Sequence, residues 1–181
     1  MEKIEVLKKL IDLLEDREWV LVGGMARKLQ EIEAKTEDID IVATADEAKE
    51  IDELLKDYAK RRLKYGETEQ YESLFGVYEI DGVRVELMAD LVLKGNESRF
   101  RIDFERMKAA GRRLKFEGWE IMVEPMEESL IAKVVIGEIE RAKKLAKYLA
   151  TNGYDDWYLE RAMESGLADY VKEEVRELLI R

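Results

Sequence analysis

Asp38 and Asp40 flank Ile39 in the run Asp38-Ile39-Asp40-Ile41-Val42-Ala43. Acids alternating with aliphatics mark an extended strand, whose side chains point to opposite faces in turn. Residues two apart share a face at a spacing of about 6.6 Å, so both carboxylates can aim at one centre while Ile39 and Ile41 anchor the other face in the core. Two carboxylates with nothing softer beside them suit a hard, oxygen-loving cation such as Mg2+, which keeps some waters and takes its remaining ligands from substrate phosphates. Glu86, in Val85-Glu86-Leu87-Met88, would join this centre from a neighbouring strand, as a second-metal ligand or as the base that activates an attacking hydroxyl. Gly23-Gly24 supplies the complementary half. A strand that turns sharply into a helix there leaves backbone N–H groups and the positive end of a helix dipole facing a guest, and phosphate is the natural one. Metal on the acids and phosphate at the turn together hold a nucleoside triphosphate for in-line attack at phosphorus.

The rest of the composition narrows the chemistry. No histidine and no cysteine occur in 181 residues, which removes disulfides, thiol nucleophiles, Cys/His zinc sites and imidazole bases. With 42 acids, the pattern acid-x-acid arises by chance about ten times, so spacing alone does not single out Asp38 and Asp40. Their place between apolar residues does, because unpaired carboxylates on a buried strand are costly without a cation or a partner. An EF-hand register starting at Asp38 fails, with Ala43 where its glycine belongs and Lys49 where its bidentate glutamate belongs. Neither a Walker-type GxxxxGK[ST] nor a GxGxxG motif is present.

These residues need elements to position them. Ile4, Leu7, Leu10, Ile11 and Leu14 have helical spacing and predict an amphipathic helix over 2–16. Trp19-Val20-Leu21-Val22 reads as a strand running into the glycine turn, followed by a helix from Met25 to Ala34. A helix over about 45–60 follows the Asp38 strand. From about 62 to 124 the period shortens. Tyr71–Ile80 and Val83–Met88 flank Asp81-Gly82, a two-residue hairpin turn, and Arg112–Phe116 with Trp119–Val123 around Glu117-Gly118 predict a second hairpin. One long helix over Met126–Leu149 and two shorter ones over 155–165 and 168–179 complete the chain. The fold class is therefore α+β: a β-sheet core over 1–124 flanked by helices, with a C-terminal helical region over 125–181 packed on it.

The order of parts resembles the nucleotidyltransferase superfamily typified by DNA polymerase beta, in particular its small prokaryotic members. The matching residues are Leu21-Val22-Gly23-Gly24-Met25-Ala26, Thr36-Glu37-Asp38-Ile39-Asp40-Ile41-Val42 and Val85-Glu86-Leu87-Met88. The motifs span about residues 19–90, and Glu127–Leu149 is similar to the helix that follows the catalytic core in prokaryotic members. The resemblance implies a mixed-sheet palm in which Asp38 and Asp40 bind two divalent ions, Mg2+ or Mn2+. It also implies that Glu86 completes the metal set and helps activate the acceptor, and that Gly23 and Gly24 contact the triphosphate, with Lys133 reaching phosphate. Two departures stand out: Met25 replaces the hydroxyl residue often found after the glycine, and the third acid is Glu rather than Asp, with Asp90 a rival.

The expected activity is Mg2+-dependent transfer of a nucleoside monophosphate from an NTP to a hydroxyl on a small molecule, a protein or an RNA end. Two alternatives stay open: a non-catalytic module on this fold with a partner protein, as in a toxin–antitoxin pair, and a metal-independent carboxylate-pair hydrolase such as a glycosidase. Three basic clusters, at 60–64, 99–101 and 112–115, and the aromatics Tyr148, Tyr154, Trp157 and Tyr158 could guide a substrate, but such residues more often pair with acids or pack in the core. A formal net charge of −11 opposes indiscriminate binding to nucleic acid or anionic membranes. With no long apolar stretch or signal-like start, a cytoplasmic location is expected, and abundant Glu and Lys without Cys resembles heat-adapted proteins.

Overall fold

The computed structural model describes residues 2–32 and 35–180. Helix α1 (Glu2–Leu13) leads to a short strand β1 (Val20–Val22), which runs directly into α2 (Gly23–Leu29). Next come β2 (Ile39–Val42), α3 (Ala45–Leu54) and a 3-10 turn at Lys56–Tyr58. The strands β3 (Ala59–Glu67), β4 (Tyr71–Ile80), β5 (Val83–Gly95) and β6 (Ser98–Arg101) follow. After α4 (Phe104–Ala110) and the hairpin β7 (Arg113–Phe116) and β8 (Trp119–Met122), the chain continues with α5 (Met126–Val135), α6 (Ile139–Asn152), α7 (Asp156–Ala162) and α8 (Asp169–Ile180).

The main sheet has the order β1-β2-β5-β4-β3, with β6 paired to β5. It is mixed, because β2 and β5 run parallel while β1–β2, β5–β4, β4–β3 and β5–β6 are antiparallel. Apolar residues cover both faces. Leu21, Ile39, Ile41, Val85 and Leu87 face α1 and α3 in one buried cluster. Val20, Val22, Val42 and Leu91 join α5 to α8 in the other. Period two thus sorts β2: Ile39 and Ile41 go to one core, and Asp40 points to the side of the C-terminal helices.

Local chemistry explains the turns and caps. Asp81 and Gly82 have φ of 48° and 80°, the left-handed pair that a tight two-residue hairpin requires. Glu117 and Gly118 do the same between β7 and β8. Thr44 caps α3 by accepting a hydrogen bond from Glu47 N–H at 3.3 Å, in a T-x-x-E sequence suited to that cap.

Several boundaries differ from expectation. The long helix predicted over 126–149 is two helices, because Gly137 takes φ of 79°. Glu138 N–H then donates to Lys133 O at 2.9 Å and Gly137 N–H to Val134 O at 3.2 Å, the Schellman closure that terminates a helix at a left-handed glycine. The helix expected from Met25 begins at Gly23 and ends at Leu29; its predicted end, Ala34, lies outside the described residues. The helix expected to about 60 ends at Leu54, and β3 begins at Ala59. β5 continues to Gly95 instead of stopping at Met88, and β6 and α4 are additions. Among the described residues no helix is long and apolar enough to cross a membrane.

Candidate active site

The site follows from the register. Asp40 lies opposite Glu86 in the parallel β2–β5 ladder and opposite Val22 in the antiparallel β1–β2 ladder. Val22, Asp40 and Glu86 therefore stand side by side across three strands, and Gly23 follows at the end of β1. Asp38, two residues before Asp40, shares its face. Carboxylate oxygens of Asp38, Asp40 and Glu86 all fall within 4.8 Å of one another, each side chain half-buried. Three oxygen donors without nitrogen or sulfur fit a hard divalent cation.

Burial pushes the Asp40 carboxyl up to about 8, and the neighbouring charges of Asp38, Glu86 and Glu124 add to it. Such crowding of like charges in a poorly hydrated place is what a cation relieves. Glu86 also accepts from Arg84 Nε at 2.6 Å. Arg84 is an exposed residue of the same strand and lines neither cavity at the cluster. Asp90, the rival third acid, is elsewhere: its side chain is exposed and accepts from Arg101 Nη2 at 2.8 Å.

Both glycines make room for this cluster. Gly23 has φ of 69°, and a Cβ there would collide with Asp40 Oδ2. A Cβ on Gly24 would sit 2.7 Å from Thr36 Oγ1. The Gly23 amide, expected to face phosphate, instead donates to Glu124 Oε2 at 3.0 Å. Glu124 is fully enclosed, which raises its pKa, while the Arg27 charge and the Gly23 N–H oppose that rise. The carboxylate thus fixes the turn that brings β1 alongside Asp40.

Two cavities meet at the acids. One of about 450 Å³ runs past Gly24, Thr36 and Asp38 and is lined by four cations, Arg27, Lys35, Lys133 and Arg141. A second of about 230 Å³ opens beside Glu86. Lys133 lines both cavities from α5, half-buried, and donates to Glu138 Oε2 at 3.0 Å. Sequence reasoning missed Arg27, Lys35, Glu124 and Arg141. Arg27 had a signal, lying four residues and so about one helical turn beyond Gly23, and Glu124 had one in closing an apolar strand just before the single proline.

The basic clusters are largely absorbed in ion pairs. Arg62 binds Asp52, Arg99 binds Glu72, Arg101 binds Asp90 and Arg112 binds Glu127. Tyr158 is buried and donates to Glu128 Oε2 at 2.8 Å, whereas Trp157 is exposed and packs its ring under the Arg161 guanidinium.

The sequence matches the model of the aminoglycoside-2''-adenylyltransferase family over residues 6–156. No curated protein matches it. Among solved structures, the chain is similar to a candidate nucleotidyltransferase from Thermotoga maritima, at 26% identity and a TM-score of 0.65, over 83% of this chain and 94% of that one. It also shares its fold with ANT(2'')-Ia in complex with adenylyl-2''-tobramycin, at 11% identity and a TM-score of 0.55, over 98% of each chain.

Proposed function

Because the chain belongs to the aminoglycoside-2''-adenylyltransferase family, we propose that it transfers a nucleoside monophosphate from an NTP to a hydroxyl on a small-molecule acceptor, with Mg2+ as cofactor. The observation that carries this reading is the meeting of Asp38, Asp40 and Glu86 within 4.8 Å, with Asp38 and Asp40 lining a cavity that four cations also line.

Asp38 and Asp40 would hold two divalent ions, with Glu86 completing the set. When bound, the ions neutralise charge on the triphosphate and on the attacking oxygen. Arg27, Lys35, Lys133 and Arg141 would draw the polyphosphate into the larger cavity. Gly23 and Gly24 let the backbone approach without obstruction by a side chain. Glu86, which lines the smaller cavity, would take the proton of the acceptor hydroxyl on its carboxylate and return it to water. The hydroxyl oxygen bonds to the α-phosphorus, the bond from that phosphorus to the αβ-bridging oxygen breaks, and pyrophosphate leaves with the bonding electrons. A cytoplasmic location suits an NTP donor.

The test is label transfer from an equimolar set of α-32P NTPs in Mg2+, together with calorimetry of metal–NTP binding. Asp38→Asn and Asp40→Asn are each expected to abolish metal-dependent binding heat and to lower transfer by about 100-fold or more. Wild-type protein that neither binds any metal–NTP nor transfers label to any acceptor, tobramycin included, rejects the reading.

A further inference from the structure

The two cavities share Gly23, Arg27, Asp40 and Lys133, so the acids stand at their joint. Beyond the joint they differ in kind. The larger is lined by four cations and three acids, whereas the smaller is walled by Met88, Leu91, Leu93, Ile102, Ala132 and Ile136, with Glu86 beside them.

A defect in β5 builds that apolar wall. On a regular strand Glu86 and Met88 would share a face with each other, and Leu91 and Leu93 would lie on the opposite one. Between Leu74↔Ala89 and Glu72↔Val92 the ladder advances three residues on β5 against two on β4. Asp90, with φ of 51°, sits in that step, which is a β-bulge. Before it, Val85, Leu87 and Ala89 belong to the core under α1 and α3; after it, Leu91 belongs to the core under the C-terminal helices. The bulge therefore moves Leu91 and Leu93 onto the face of Glu86, on the wall of the same cavity as Ala132 of α5 and Ile136 just beyond its end.

We propose that this smaller cavity is the acceptor subsite and that it takes a neutral alcohol with an apolar body, a ring bearing one hydroxymethyl group, in preference to a polycationic sugar. This rests on the nucleotidyl-transfer reading above. Its volume of about 230 Å³ exceeds the roughly 150 Å³ that houses benzene, and an apolar wall with polar groups gathered at one end is the form of a small-ligand pocket. The lining acids leave nothing for several ammonium groups. Asp40 and Glu86 belong to the metal cluster, and Glu124 already accepts from Gly23 and faces Arg27.

Benzyl alcohol is the probe and tobramycin the comparator. In EDTA, a methyl-NMR titration of the full chain should give saturable shifts confined to the methyls of Met88, Leu91, Leu93, Ile102, Ala132 and Ile136. In Mg2+ with labelled NTPs, benzyl alcohol should be nucleotidylated with kcat/KM at least 10-fold above that for tobramycin. Leu93→Lys should raise its KM about 10-fold or more, and should that variant not fold, the wild-type titration decides. Metal–NTP binding heat with no benzyl alcohol shift, or with tobramycin the better acceptor, overturns the acceptor class and leaves nucleotidyl transfer standing. Benzyl alcohol shifts without any metal–NTP heat overturn the transfer reading, and the acceptor role with it.

Discussion

Gly23 occupies a position where no other residue fits without rearrangement. Its φ of 69° is strained for any side chain, and a Cβ would strike Asp40 Oδ2. Gly23→Ala is therefore expected to cost about 1–3 kcal/mol in urea unfolding and to lower metal–NTP affinity, because the displaced carboxylate is one of the three that converge. A second expectation concerns Asp40 without metal. Burial and its acidic neighbours raise the carboxyl from 3.8 to about 8, so between those values the folded state holds a proton that the unfolded state has released. The stability is complete below about pH 4 and is lost as pH rises towards about 8. In EDTA the urea midpoint should fall over that window, and Asp40→Asn should flatten the fall; an unchanged slope in the variant would assign the pH dependence to other groups. That Asp38 and Asp40 share a face was legible because a two-residue period needs only neighbouring positions to reveal it, whereas Glu86 reaches them through the β2–β5 pairing, to which the resemblance and not the period pointed. Glu124 was not legible in this way. Its place at the end of an apolar strand marks it as a buried acid, but the partner it meets, Gly23, is 101 residues away, and the local pattern does not name that partner.

Elements were legible where turn chemistry and periodicity agreed. Asp81-Gly82 announced the β4–β5 hairpin because both positions need positive φ. The β5–β6 hairpin uses the same geometry at Asn96 and Glu97, with φ of 48° and 55°, but has no glycine to advertise it. β3 is largely exposed along the sheet edge, so it lacks the alternation that marks a half-buried strand. β5 was read short because the bulge at Asp90 breaks its period. Gly137 carries a stop signal, but the apolar spacing that continues across it masks the break. The joints between helices use a buried ionic group: Arg106 of α4 donates to Glu128 of α5 at 2.5 Å, and Tyr158 of α7 donates to the same carboxylate at 2.8 Å. The Glu128 side chain has no solvent exposure, and burial raises its pKa against the pull of Arg106. Arg106→Ala strands that charge and should destabilise the fold by about 3–5 kcal/mol. Arg106→Met combined with Glu128→Leu and Tyr158→Phe should recover most of the loss in urea unfolding, since the whole polar group, the Tyr158 hydroxyl that bonds Glu128 included, takes its desolvation cost with it; a triple variant no better than the single would assign the loss to packing alone.

At the scale of the molecule, the site draws on α2, β2, β5 and α5, which belong to both apolar cores. Unfolding disperses these contributors, so a metal–NTP complex has a partner only in the native state and must stabilise it by mass action. At a ligand concentration 100 times Kd the gain is about 2.7 kcal/mol. For a chain of this size that raises Tm by about 5–11 °C, from 2–4 °C per kcal/mol. The sign of the charge makes the control informative. The chain carries a net −11, and Glu37, Asp38 and Asp40 line the same cavity as the four cations, so an NTP in EDTA meets repulsion that a divalent ion would cancel. Scanning calorimetry should therefore show a much smaller shift with NTP in EDTA than with NTP in Mg2+, and Asp38→Asn should narrow the gap from the Mg2+ side. Equal shifts in both buffers would mean that Arg27, Lys35, Lys133 and Arg141 bind the polyphosphate by themselves and that the acids are not part of the nucleotide site.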